Sequence, residues 1–399
     1  MKKSISNSLL ACGLASMIDM PTVQAEVLDD LEFSGFARIV AGYIDDEHAE
    51  FNGYENKVSL NQQSLIGLQA DYQIIDNLSA TAQVIGRTGD DNDSGIEWLY
   101  LTYAPTKALR LKLGRQRTPV FSYSDFSDVG FAYNWVSLPQ QVYQQFLFPN
   151  FDGLHANYEN IGENVSLSVE AYFGEIDRKY MFQGDSLNVN VDNIHGIVST
   201  LGYESWTLRA SYHRGDVDVT QQELSDFSDT LRGVGFTQSA DSLTNVGEAE
   251  FYQLSAFYED LDYFFRSEVT RLRTELFLAP DSNGYFVSGG LNFSPFSIYA
   301  SVSRDTNKYS ASVSEIPIGV NAQLDQLAFG YQEIVSLIGS NSTVSYSIGG
   351  RWDYRDNLAF KAQATLLKER DGYHGLFTYR DQNFDGKAMF YQLALEWVF

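Results

Sequence analysis

The side chains able to act on a charged solute sit at alternate positions of extended segments. On the polar faces of those segments lie Arg38, Arg87, Arg110, Lys112, Arg209, Arg266, Arg351 and Lys361, against Asp71, Glu170, Glu268 and Asp353. Arg117 follows the segment that holds Arg110 and Lys112, and Asp125 and Asp128 come next in the chain. Opposed fixed charges across a narrow, water-filled gap set up a transverse field that orients dipolar solutes and sets ion preference. The alternative is that these arginines are tied up in ion pairs along the wall, leaving a small field. Arg115 shares the parity of Leu109, Leu111 and Leu113, so only a bulge at Gly114 would turn it to the polar face.

Covalent chemistry has weaker support. A hydrolase needs a histidine beside a carboxylate and a nucleophile. His213 has Ser211 and Asp216 nearby in sequence, but none of His48, His155, His195, His213 and His374 falls in a triad motif. No enzyme and no cofactor is expected. The run Asp381-Gln382-Asn383-Phe384-Asp385-Gly386 opens like a calcium loop, yet its twelfth position is Gln392 where an EF-hand needs Glu. Asp90-Asp91-Asn92-Asp93-Ser94-Gly95 is a similar partial match, with Leu101 at the twelfth position. Both read as polar loop tips, with loose divalent binding through Asp381, Asn383 and Asp385 as the weaker reading.

The elements that must position these charges are strands. Segments of roughly ten residues alternate apolar and polar, the length of a tilted strand that crosses a bilayer. Phe33, Gly35, Ala37, Ile39, Ala41 and Tyr43 alternate with Ser34, Phe36, Arg38, Val40 and Gly42. Val344, Tyr346, Ile348, Gly350, Trp352 and Tyr354 alternate with Ser345, Ser347, Gly349, Arg351 and Asp353. Short turns at 75–77, 105–107, 204–205, 260–261, 294–295 and 356–357 separate long polar stretches near 44–57, 88–95, 117–150, 174–190, 215–248, 305–342 and 370–387. This segregation is the layout of a transmembrane barrel, and a soluble sandwich has no reason for it. The count is sixteen antiparallel strands, with 324–334 placed in a structured seventh loop. An eighteen-stranded barrel that also uses 310–316 is the alternative, since both termini on one side require an even number.

Composition agrees. The 399 residues include 25 Tyr and 27 Phe, with 31 Gly and 8 Pro. The mean hydropathy is −0.23, so no stretch inserts as a helix. The net charge of −25 excludes nucleic acid as a partner. Lys2 and Lys3, the apolar run 9–18 and Val23-Gln24-Ala25 read as a signal peptide over 1–25, leaving a barrel over 26–399. Cys12 also completes a lipoprotein-like box, but so early a cut leaves almost no apolar region before it. A cut at Ala25 leaves the mature chain without cysteine.

Two segments then carry a family resemblance. The chain ends in Tyr391-Gln392-Leu393-Ala394-Leu395-Glu396-Trp397-Val398-Phe399, a strand with one aromatic-rich face that closes on Phe399. Leu113-Gly114-Arg115-Gln116-Arg117-Thr118-Pro119 precedes a loop to about Asn150 that contains Phe131, Tyr133 and Trp135. A loop of that length, rich in rings, is too apolar to wave in solvent and must pack on something. Together these resemble the porins of Gram-negative outer membranes. The resemblance implies an all-β transmembrane barrel whose third loop folds into the lumen, and passive diffusion of small hydrophilic solutes and ions. It implies a homotrimer in contact with outer-membrane lipid and lipopolysaccharide, with Phe399 read by the barrel-assembly machinery. Arg38, Arg87, Arg110, Lys112, Arg115, Arg117, Asp125 and Asp128 are then the candidate constriction. A channel selective for a sugar or organic anion, or a plugged barrel acting as adhesin or receptor, are the alternatives.

Overall fold

A computed structural model describes residues 30–89, 94–146, 148–182, 185–310, 312–336, 338–370, 376–377, 379–380 and 384–399. The expected signal segment 1–25, Asp90, Asp91, Asp93, Asp381 and Asn383 lie outside the described residues. The strands are β1 (Leu31–Ile44), β2 (Leu65–Ile75), β3 (Leu78–Arg87), β4 (Gly95–Tyr103), β5 (Leu109–Arg117), β6 (Asn150–Ile161), β7 (Val165–Phe182) and β8 (Asp185–Tyr203). They continue as β9 (Trp206–Thr220), β10 (Val246–Glu259), β11 (Tyr263–Thr274), β12 (Asp281–Phe293), β13 (Phe296–Lys308), β14 (Thr343–Arg355), β15 (Leu358–Glu369) and β16 (Lys387–Val398). Each pairs antiparallel with its sequence neighbours, and β1 pairs with β16, so the sixteen-stranded sheet closes on itself.

Closure follows from the register of the last strand. Phe36 faces Val398, Arg38 faces Glu396 and Ile44 faces Phe390. Gly35 and Phe399 exchange both backbone bonds, at 2.7 and 2.9 Å. No barrel edge is left unpaired, which a bilayer demands of its backbone groups. The period-two alternation sorts the wall. Phe33, Ile39, Leu68, Leu113, Leu254, Val269, Ile348 and Leu393 are exposed on the outside, and Arg38, Gln253, Glu268, Lys361, Gln392 and Glu396 are buried on the inside.

The outer face carries two belts of rings. Trp206 and Tyr212, Tyr252 and Tyr258, Tyr346 and Trp352, and Tyr391 and Trp397 pair up at one fixed interval along their strands. At about 3.3 Å per residue that interval is about 20 Å, the span of a tilted apolar band with rings at both margins. Neighbouring rings touch around the short-turn rim, Trp206 with Tyr258 at 5.1 Å and Phe296 with Trp352 at 6.0 Å.

Three connections differ from the sequence reading. The stretch 174–190 is mostly strand, because β7 and β8 continue past the band as a long hairpin. Its apolar residues Ile176, Val189, Val191 and Ile194 pack inward on Phe151 and Tyr172, so the alternation there serves a cluster rather than a solvated loop. Residues 221–245 hold the helix Gln222–Gly233. Residues 322–336 are a helix in the seventh loop, not strands, and 310 and 312–316 are not in a strand, so the eighteen-stranded count drops out. The two helices meet through Leu224, Leu231, Ala328 and Tyr331 with Phe277 from the sixth loop, an apolar layer at the long-loop end.

Candidate functional site

Among its described residues, the segment from Thr118 to Pro149 pairs with no strand of the barrel, so the carbonyls not used in its own turns need donors from elsewhere. Inward side chains of the wall supply them. Lys361 on β15 donates to the carbonyls of Gly130, Tyr133 and Trp135, the last two at 2.6 and 3.0 Å. Arg351 on β14 donates to those of Phe131 and Tyr133. Arg38 on β1 donates to Val136 at 2.6 Å, and Arg209 on β9 to Pro119 and Val120. In return Gln363 accepts from the Val136 amide at 2.9 Å, and Glu268 from the Ser122 amide at 3.1 Å.

Rings complete the anchorage. Phe121, Tyr133, Trp135 and Val142 of the loop pack on Phe251, Phe264, Phe286 and Tyr299 of β10 to β13. Trp135 meets Phe286 edge-on at 5.6 Å, and Arg266 lies 5.5 Å over the Trp135 ring. Gly130 sits where a Cβ would come within 2.2 Å of a Glu396 oxygen, so a side chain there would push the Glu396 carboxylate aside. Gly130→Ala is expected to lower the heat-modification midpoint of the folded barrel on gels, and an unchanged midpoint would show that the loop tolerates a shift.

The candidate charges divide three ways. Arg87, Arg117 and Asp128 come together: Arg87 lies 3.1 Å from Asp128 and 2.6 Å from Glu97, and Arg117 pairs with the same Asp128. Arg38 lies beside them on the wall, 3.1 Å from Glu396. Asp125 is exposed on the loop, and Lys112 stands 4.8 Å over the Tyr100 ring with no ion pair among the described residues. Arg110 is at the short-turn end of β5, half-exposed and paired with Glu159 at 2.7 Å.

Arg115 is a correction. Gly114 has a φ of +130°, but the pairing of β5 with β4 and β6 runs without a shift through it. Arg115 therefore stays on the leucine face, bound to Asp152 at 2.7 Å on the outside of the barrel. The basic excess read along the wall also disappears, because Glu97, Glu159, Glu259 and Glu396 supply partners to Arg87, Arg110, Arg266 and Arg38. The signal for Glu396 was its place on the inner face of the last strand. Glu97 was hidden because the β3–β4 register shifts between Gln83 and Val84.

The loop fills one side of the lumen. Inward side chains such as Gln253, Glu268, Ser288, Ser303, Gln363 and Gln392 on β10 to β16 are buried under it. On β2 to β8 several inward side chains keep water access, Gln69, Asp71, Tyr100, Lys112, Asn157 and Thr200 being part-exposed, while Thr81, Gln83, Glu97 and Val198 are buried. His155 and Glu170 form a pair there at 3.0 Å. A cavity of about 240 Å³ opens between the loop and β1 to β3, lined by Arg38, Arg87, Asp128 and several glutamines and serines. Burial pushes the Asp128 carboxyl up, but the Arg117 and Arg87 guanidinium groups outweigh it and hold it down at about 2.

His213 is buried and bonded to Tyr172 at 2.7 Å and Ser211 at 2.9 Å, while Asp216 bonds Asn193 instead. Asp385 is exposed and paired with Lys387 at 2.9 Å. Among the described residues no group of His, Cys, Asp and Glu could hold a metal ion.

No protein-family model and no curated protein sequence matches the chain. Solved structures do. An anion-selective porin from Comamonas acidovorans superposes with a TM-score of 0.58 at 10% identity, covering 92% of this chain and 99% of that one. The outer-membrane channel DcaP of Acinetobacter baumannii gives 0.55 at 13%, covering 93% and 97%. The trimer form of OmpT, an outer-membrane protein of Vibrio cholerae, gives 0.54 at 12%, covering 92% and 99%. At these identities the likeness is one of fold, and the fold is that of the outer-membrane porin barrels.

Proposed function

We propose that this protein is an outer-membrane channel that passes small hydrophilic solutes and ions by passive diffusion. The observation that carries this reading is the one-sided filling of the lumen. The third loop is bonded down on β9 to β16, and the opposite wall of β2 to β8 keeps part-exposed polar side chains, Gln69, Asp71, Tyr100, Lys112, Asn157 and Thr200, among buried ones. A loop in that place sets the width of the passage, and fixed side chains along it set preference without any chemical step. The likeness to a porin from Comamonas acidovorans and to the DcaP channel supports the same reading. The outer belts of rings support contact with lipid and lipopolysaccharide. The trimer form of the Vibrio protein supports a homotrimer. The bonding of His213 to Tyr172 and Ser211 favours a non-enzymatic barrel.

Swelling of liposomes that contain the folded protein tests this. The expected result is swelling in monosaccharides that slows as the solute grows. A barrel that gives no swelling and no conductance would be plugged. That second reading, an adhesin or receptor, draws on the block of rings from Phe121 to Tyr299.

A further inference from the structure

We propose that the cavity between the third loop and β1 to β3 is a binding site for a neutral, polyhydroxylated solute, one small sugar at a time. This rests on the channel reading above and names its preferred cargo. At about 240 Å³ the cavity lies below the roughly 300 Å³ at which pockets for drug-sized ligands begin, so it suits a single small solute.

Charge is present at this cavity but already used. Arg38 has Glu396 at 3.1 Å and donates to Val136 and to the Tyr133 hydroxyl. Arg87 is held between Glu97 and Asp128. Their side chains are 7% and 16% exposed, so little guanidinium surface is left for an anion. Asp128 is closed off in the same way by Arg87 and Arg117. Contact pairs of this kind also cancel most of the transverse field that separated charges would produce.

What remains free is neutral and two-sided. Gln140 and Gln144 line the cavity one helical turn apart, and their side-chain amides make no hydrogen bond among the described residues. An amide offers a donor and an acceptor together. A hydroxyl matches both. A carboxylate would leave the amide oxygens unmatched, and an ammonium would leave the amide nitrogens unmatched. Tyr143 lies between the two glutamines in sequence and adds carbon surface to the lining, as a sugar ring also requires.

The test compares three solutes on one carbon skeleton. Folded protein in planar bilayers at pH 6 is titrated with D-glucose, D-glucuronate and D-glucosamine while ion current is recorded. Glucose should reduce the current saturably, and the two charged relatives should do so at least about fivefold more weakly, the worth of one lost hydrogen bond. In Gln140→Ala/Gln144→Ala, glucose should bind more weakly by about fivefold per amide. Gln144→Glu, which keeps the size of the side chain, should move preference toward glucosamine. The inference fails if glucuronate or glucosamine blocks as well as glucose, or if the double variant keeps the wild-type glucose affinity, while the current itself leaves the channel reading standing. Absence of any current and of any swelling overturns the channel reading and this inference with it.

Discussion

Replacing Lys361 by Ala is expected to loosen the third loop and widen the passage. The ammonium is buried and holds three loop carbonyls, those of Gly130, Tyr133 and Trp135. Of these, Tyr133 keeps a donor in Arg351 and Gly130 keeps the Tyr133 amide at 3.3 Å, but Trp135 loses its Lys361 donor. A buried carbonyl left without a donor costs about 1–3 kcal/mol. Glu396 loses a cation 3.9 Å away, although Arg38 still faces it. The summed effect is about 3–5 kcal/mol, the range for breaking a buried charge from its partners. Denaturant unfolding in detergent should show that loss, and single-channel recordings should show larger, noisier currents. Lys361→Met/Arg351→Met should enlarge the conductance further. A Lys361→Ala barrel with wild-type conductance and a loss under about 1 kcal/mol would show that the rings alone hold the loop.

Asp128→Asn should give the second large effect, on ion preference. One carboxylate neutralises parts of both Arg87 and Arg117. Glu97 continues to pair with Arg87, so the uncovered charge is chiefly that of Arg117, which is buried. Leaving it unpaired costs on the order of 3 kcal/mol and shifts the reversal potential in a salt gradient toward anions. The pH dependence follows from the Asp128 carboxyl, held at about 2 against an ordinary value near 3.9. A depressed carboxylate contributes stability that is fully present above the ordinary value and is lost as pH falls through the folded one. The difference between wild type and Asp128→Asn should therefore stay constant from pH 7 to about 4 and shrink toward pH 2. A difference that collapses already near pH 4 would mean that Asp128 is not held by the two arginines.

Both predictions turn on contacts that join distant parts of the chain, and this marks the limit of what the residues spell out locally. The alternation in β1, β14 and β16 was legible, and so was the inward parity of Arg38, Arg351 and Lys361. What those groups do with their charge was not. Lys361 serves carbonyls more than 200 residues away in sequence, and Arg38 answers a carboxylate at the opposite end of the chain. Arg115 shows the converse. Its parity with the leucines was plain, and a positive φ at the adjacent Gly114 did not alter it, because the backbone pairing on both sides stayed in register. The hairpin of β7 and β8 was read too short because strand alternation beyond the apolar band looks the same as a polar loop until its partner strand is in place.

Period-two alternation and turn length are local properties, and the sequence alone determined from them an even-stranded antiparallel barrel closed by its first and last strands, with sixteen strands read ahead of eighteen until the helix at 322–336 decided the count. The aromatic content of the third loop likewise required that it pack on something. Only the tertiary structure decided what that surface was, which side of the lumen stayed open, and that Arg38, Arg87 and Arg117 meet acids within contact distance. The reason is physical. A strand's face is set by its own residues, whereas the field in a lumen depends on distances between charges on many strands, and those distances exist only once the barrel has closed.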